Sequence, residues 1–180
     1  MTHRSALLVI DMQNALMDIA HRARDTIAAV AALRERATAA GALVVTVQHR
    51  GPGLEPGTDG WRVTDALTPA PGEPVVHKTA ADSFLDTDLD EVLRAAGVTE
   101  VVVTGFATEQ CVESTARQAL SRRYDLVWVT GGHTTSLRSP GDGFAPAAQA
   151  LAHHDAIYRG IEFPGRRIRV LSVDEVDFTG

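Results

Sequence analysis

Along the chain, short apolar runs alternate with segments whose apolar residues recur at helical spacing. Ser5–Ile10 is a nearly continuous apolar run that stops at a polar cluster, Asp11, Gln13 and Asn14, which predicts a buried strand ending in a loop. From Arg24 to Ala40, Ile27, Val30, Ala31 and Leu33 repeat with helical period, and Gly41 stands where a helix would stop. Leu43–Val47 reads as a second buried strand. Gly51–Gly60 holds four glycines and two prolines, which predicts a surface loop. Val75–His77 is a brief third strand, Leu89–Ala96 a helix closed by Gly97, and Val101–Val103 a fourth strand. Glu109–Arg122 is helical in character and Leu126–Val129 makes a fifth strand. Gly131–Gly143 reads as a second long loop, Ala145–His153 as a helix, and Ile168–Leu171 as the last strand.

Valine-rich strands separated by helices are the pattern of a parallel sheet covered on both faces. The expectation is one domain over residues 1–180, a three-layer α/β/α architecture with a mostly parallel, doubly wound sheet of about six strands. In such sheets ligands bind beyond the carboxyl ends of the strands, so residues just past each strand carry the chemistry.

Composition narrows the partners. The chain has 180 residues, 17 Lys and Arg against 23 Asp and Glu, a net charge of -6 and a pI near 5.6. This mild acidic excess, with no basic run, argues against nucleic acid or an anionic membrane as the main partner. No apolar stretch reaches the roughly 18 to 20 residues of a bilayer span, and the amino terminus lacks a secretory pattern, so a cytoplasmic location is expected. A single cysteine excludes an internal disulfide framework and any multi-cysteine site.

Three reactive side chains fall near strand ends: Asp11 after the first, Lys78 after the third and Cys111 soon after the fourth. If the following helix opens at Thr108 or Glu109, Cys111 lies in its first turn, where free N–H groups and the helix dipole favour an anion and lower a thiol pKa. A nearby Lys78 ammonium acts in the same direction, and Asp11 within reach can take the thiol proton. Taken singly, each has a plainer explanation: a buried small hydrophobe, a turn residue and a surface charge.

The segments ALLVIDMQNALM (Ala6–Met17), VVHKTAADSF (Val75–Phe84) and VVVTGFATEQCVESTARQAL (Val101–Leu120) change that balance. In this order they resemble the isochorismatase-like cysteine hydrolase superfamily, which includes nicotinamidases, carbamoylsarcosine amidases, ureidoacrylate amidohydrolases and streptothricin hydrolases. The resemblance implies Asp11 as general base, Lys78 as its cationic partner and Cys111 as nucleophile. It implies an oxyanion hole from the backbone N–H groups of Ala107 and Cys111, and a cis peptide bond between Phe106 and Ala107. It also implies assembly as a homodimer or homotetramer, with residues of a neighbouring subunit able to complete the pocket.

Departures from the family pattern sharpen the expectation. Nicotinamidases carry an Asp-x-His pair after the second strand for a metal, whereas this chain reads Gln48, His49 and Arg50 there. A lone histidine makes a poor metal site, so neither a catalytic metal nor another cofactor is expected. His49, Trp61, Phe106, Glu109 and Gln110 are candidates to line the substrate pocket, with packing or helix-end roles as alternatives. His133 is a further candidate because HTTSL (His133–Leu137) follows the fifth strand, although Gly131 stands where relatives carry an Asp. His153 and His154 are explained by a helix end. The function this supports is a metal-independent cysteine amidohydrolase that cleaves a C–N bond of a small amide, lactam or ureido compound through a thioester. The DSF and TEQC segments resemble the branch containing streptothricin hydrolase, which opens a lactam. The alternatives are vinyl ether hydrolysis of the isochorismatase type, or a non-catalytic binding protein on the same fold.

Overall fold

The apolar runs assemble as a sheet in which successive side chains enter opposite layers. A computed structural model of the chain describes residues 4–139 and 141–179. Its strands are β1 (Ser5–Ile10), β2 (Leu43–His49), β3 (Val75–Lys78), β4 (Glu100–Phe106), β5 (Asp125–Thr134) and β6 (Ile168–Ser172). They form one six-stranded sheet in the order β3-β2-β1-β4-β5-β6, with every neighbouring pair parallel. The helices are α1 (Asn14–Met17, a single turn), α2 (Ala23–Ala39), α3 (Leu89–Ala95), α4 (Glu113–Ser121) and α5 (Ala147–Gly160). A π-helical turn, Thr108–Val112, leads into α4.

All six residues of β1 are buried. Ala6, Leu8 and Ile10 pack with Leu89 and Leu93 of α3, Ala116 and Leu120 of α4, and Tyr158 of α5. Leu7 and Val9 face the other way, onto Val30, Leu33 and Ala37 of α2 and onto Val176 and Phe178. Each fully buried Leu, Ile or Val side chain contributes roughly 1.5–3 kcal/mol relative to exposure, which is why the central strand shows no polar alternation. Among the described residues, no helix is long and apolar enough to cross a membrane.

Several boundaries differ from the sequence expectation, two of them at the candidate histidines. The loop expected over Gly131–Gly143 starts later, because β5 continues to Thr134. Its register against β4 shifts between Val103 and Gly105: Val103 pairs with Trp128, whereas Gly105 pairs with His133. The glycines that read as a loop are absorbed in that irregularity, where Gly131 takes a φ of +79°. The helix expected over Ala145–His153 runs instead from Ala147 to Gly160, so His153 and His154 lie mid-helix and a helix-end role does not apply to them.

The strand order reverses between β1 and β4, which is where an open α/β sheet forms its ligand crevice. Gly105 makes that junction tight: it has a φ of +123°, and a Cβ added there would stand 2.0 Å from the Ile10 carbonyl oxygen. Both the dihedral and the contact exclude a side chain. Gly105→Ala is therefore expected to lower the unfolding free energy by at least about 3 kcal/mol, read from denaturant unfolding. A loss below about 1 kcal/mol would show that the β1–β4 junction can open to accept the methyl.

Candidate active site

Four neighbouring strands each place one polar residue at the crevice. Asp11 is the first residue past β1; its N–H donates to the Val47 carbonyl at 2.9 Å, and its φ of +52° is a left-handed conformation that Asp tolerates better than most residues. Lys78 ends β3, and His49, its register partner, ends β2. Since β2 lies between β3 and β1, the lysine must reach across the end of β2 to meet Asp11. Cys111 follows β4 on the π-helical turn, just after a cis peptide bond between Phe106 and Ala107.

The side chains converge on the Lys78 ammonium. Nζ lies 2.6 Å from Asp11 Oδ2, with both side chains essentially inaccessible to solvent. It also lies 3.0 Å from the Ala80 carbonyl oxygen, 3.1 Å from His49 Nδ1 and 3.2 Å from Cys111 Sγ. The second carboxylate oxygen, Asp11 Oδ1, is buried and has no hydrogen-bond partner among the described residues. One oxygen is thus held by lysine and the other is free to accept a proton.

Burial raises the Asp11 pKa above the ordinary carboxylate value, with Lys78 opposing the rise. The Cys111 thiol is pushed up to about 12, first by burial and then by the Asp11 carboxylate, against the Lys78 ammonium. This overturns the expectation of an acidified thiol. Cys111 is the fourth residue of the turn and packs on the apolar cluster, so desolvation and a neighbouring anion outweigh the helix end and the lysine. Burial, followed by Lys78, holds His49 below the usual imidazole range.

The remaining candidates separate into different surroundings. Trp61 is half-buried and stacks on His77 at 5.7 Å, on the loop beside the crevice. Phe106 is buried within the α2-side apolar cluster. Glu109 accepts from the Thr135 hydroxyl at 2.7 Å and pairs with Arg138, which ties the π-helical turn to the segment after β5. Gln110 is exposed. His133 is only 1% exposed and does not reach the rim. Its Nδ1 lies 2.8 Å from Thr108 Oγ1 and its Nε2 3.1 Å from Asp155 Oδ1, which also accepts from Trp128 Nε1 at 2.8 Å. The ring therefore braces the start of the turn that carries Cys111 from behind.

Sequence reasoning missed Gln13, Thr108 and Asp155. The fully buried Gln13 donates from Nε2 to the carbonyls of His49 at 3.0 Å and Trp61 at 2.9 Å, and its Oε1 accepts from the His49 N–H at 2.8 Å. It clasps the end of β2 and the loop carrying Trp61 to the end of β1. The polar cluster after the first apolar run contained its only signal. Asp155 carried none, because a single carboxylate on a helix does not announce which strand residue it meets. Among the described residues, no group of three or more His, Cys, Asp or Glu side chains stands where it could hold a metal ion.

Comparison with known proteins places the chain in a family. Residues 5–140 match the isochorismatase domain, and the chain belongs to the isochorismatase family. It is 43% identical over 136 residues to a streptothricin hydrolase of Streptomyces noursei, a match that covers 72% of this chain and 54% of that protein. The chain thus spans about half the length of the streptothricin hydrolases it matches. It is 48% identical over 71 residues to the ureidoacrylate amidohydrolase RutB of Methylobacterium radiotolerans, covering 39% of this chain and 28% of that protein. The structure of an N-carbamoylsarcosine amidase from Thermoplasma acidophilum superposes with a TM-score of 0.73 at 27% identity, over 96% of this chain and 98% of that one.

The electrostatics fix the sign of one substitution. Asp11→Asn removes a negative charge that raises the thiol and leaves Lys78 in place, so the thiol becomes more acidic. In a pH titration the ultraviolet thiolate absorbance of the variant should therefore rise at lower pH than that of the unmodified protein. Equal absorbance in the two proteins would contradict the coupling.

Proposed function

We propose that this chain is a cysteine amidohydrolase that cleaves the C–N bond of a small amide, lactam or ureido compound through a thioester at Cys111. The observation that carries the reading is the contact of one buried lysine with both a carboxylate and the thiol, at the switch point of the sheet. A binding module has no need to bury an ion pair beneath a cysteine. The names of the relatives, a streptothricin hydrolase, an ureidoacrylate amidohydrolase and an N-carbamoylsarcosine amidase, support hydrolysis at carbon bound to nitrogen.

The resting thiol is neutral, so attack and deprotonation are coupled. Asp11 Oδ1 takes the Cys111 proton as Sγ bonds to the substrate carbonyl carbon. Burial has made the carboxylate a stronger base than an exposed one, and the thiol that loses its proton a stronger nucleophile. The backbone N–H groups of Ala107 and Cys111 stabilise the oxyanion, and the Lys78 ammonium stabilises charge as it passes between oxygen and sulfur. Protonated Asp11 then gives its proton to the departing nitrogen, leaving the thioester. In the second half, Asp11 takes a proton from water as the water attacks. The tetrahedral adduct expels Cys111, which recovers that proton, and the acid product leaves.

The test is release of ammonia or a new amine across primary amides, ureido acids and lactams, streptothricin among them, with Cys111→Ala alongside. Turnover with at least one class, reduced by about 10³-fold or more in the variant, is expected. Hydrolysis of isochorismate that survives Cys111→Ala would instead assign the vinyl ether reaction. With a substrate in hand, kcat/KM should fall toward acid as Asp11 takes up a proton. Because burial raises that group, the midpoint should lie above the ordinary aspartate value of 3.8. An acid limb below that value would contradict Asp11 as the base.

A further inference from the structure

The Lys78 ammonium has more acceptors around it than protons to give. It carries three N–H bonds and accepts none, yet four acceptors stand within hydrogen-bond distance: Asp11 Oδ2, the Ala80 carbonyl, His49 Nδ1 and Cys111 Sγ. Only three can be served at once. With the thiol neutral, its sulfur is the weakest acceptor of the four. The resting distribution is therefore carboxylate, carbonyl and imidazole.

That imidazole is held for the purpose. Since a lysine ammonium can only donate, His49 Nδ1 must accept, which places the ring proton on Nε2. The Gln13 amide bonds both the N–H and the carbonyl of His49, and the strand register sets the residue beside Lys78. Gly51 lies against the far edge of the ring, where an added Cβ would stand 3.3 Å from Nε2. The ionisable groups that face the ring are Lys78 from β3 and Asp11 from the end of β1. Burial and the lysine both favour the neutral, accepting ring.

We propose that His49 is a positioning residue that holds the third Lys78 proton while Cys111 is a thiol and yields it to the sulfur as the thiolate forms. The ammonium stays protonated and the imidazole stays neutral throughout. The proton that leaves sulfur goes to Asp11 Oδ1, and only a hydrogen bond changes partner. As sulfur gains charge it becomes the stronger acceptor, so one N–H swings from Nδ1 to Sγ at the moment of attack. His49 thereby keeps the thiol unreactive until a carbonyl is in place. This inference rests on reading Asp11, Lys78 and Cys111 as the reaction centre, but its test uses no substrate.

Cys111 is the chain's only cysteine, so iodoacetamide reports on it alone. His49→Leu removes the acceptor, whereas His49→Asn can present its Oδ1 near the position of Nδ1. At about neutral pH the Leu variant should alkylate at least about fivefold faster than the unmodified protein, because a Lys78 proton is released to the sulfur. The Asn variant should stay within about twofold of the unmodified rate. A Leu variant that reacts at the unmodified rate, or more slowly, overturns the proposal, as does an Asn variant as fast as Leu. Should the Leu variant fail to fold, nitrogen-15 spectra of histidine-labelled unmodified protein decide the matter, with the His49 resonances identified by their loss in His49→Asn. A bare Nδ1 with the proton on Nε2 supports the proposal, and a proton on Nδ1 overturns it. Failure of the substrate panel would leave these outcomes readable, since alkylation requires no turnover.

Discussion

Burying a carboxylate and an ammonium side by side is an expensive way to hold a protein together. Each ion loses several kcal/mol of hydration, and their attraction returns that only when the remaining lone pairs and protons are satisfied. Between Asp11 and Lys78 that condition is met on one side only. The lysine is surrounded by acceptors, whereas one oxygen of the carboxylate has no hydrogen-bond partner among the described residues. A pair that was merely structural would leave no such oxygen beneath a cysteine. The unsatisfied oxygen is the position to which the thiol proton can move, and the rest of the site is arranged around it.

The scaffold supplies that pair through topology. The reversal of strand order between β1 and β4 opens a crevice at Asp11, and Gly105 lets the backbone of β4 approach Ile10 closely just before the turn that carries Cys111. Lys78 arrives from two strands away, across the end of β2, so His49 is necessarily its neighbour. Polar side chains then brace the edges. Gln13 fixes the end of β2 and the loop carrying Trp61, while Thr108, His133 and Asp155 fix the start of the turn carrying Cys111. Gln13, Thr108 and His133 are buried and Asp155 is partly so, and the precision of the site therefore comes from the layers beneath it as much as from the residues at its surface.

Much of this was legible in the chain. Runs such as Leu7–Ile10 and Val101–Val103 can only be central strands, because nothing in them is suited to face water, and their order fixes which residues emerge at the strand ends. That placement singled out Asp11, Lys78 and Cys111, and the family resemblance of the segments around them implied their roles. Long-range electrostatics did not. A cysteine in the first turn of a helix predicts an acidic thiol, but the outcome depends on burial depth and on which carboxylate the topology brings near, neither of which is local. His133 failed for the same reason: its position after β5 suggested a rim residue, yet an irregular register turns it inward onto Asp155. Gln13 was visible only as one member of a polar cluster, since its role is defined by two carbonyls far along the chain.

The central claim is that the thiol is neutral at rest and loses its proton to Asp11 only during attack. A protein labelled with carbon-13 at cysteine Cβ gives one resonance, from Cys111. Followed against pH, that resonance should keep its thiol position from neutrality to at least about pH 10, beyond the range of free cysteine. A thiolate shift with a midpoint below about pH 8 would contradict the account, and would make Cys111 a pre-formed anion held by Lys78.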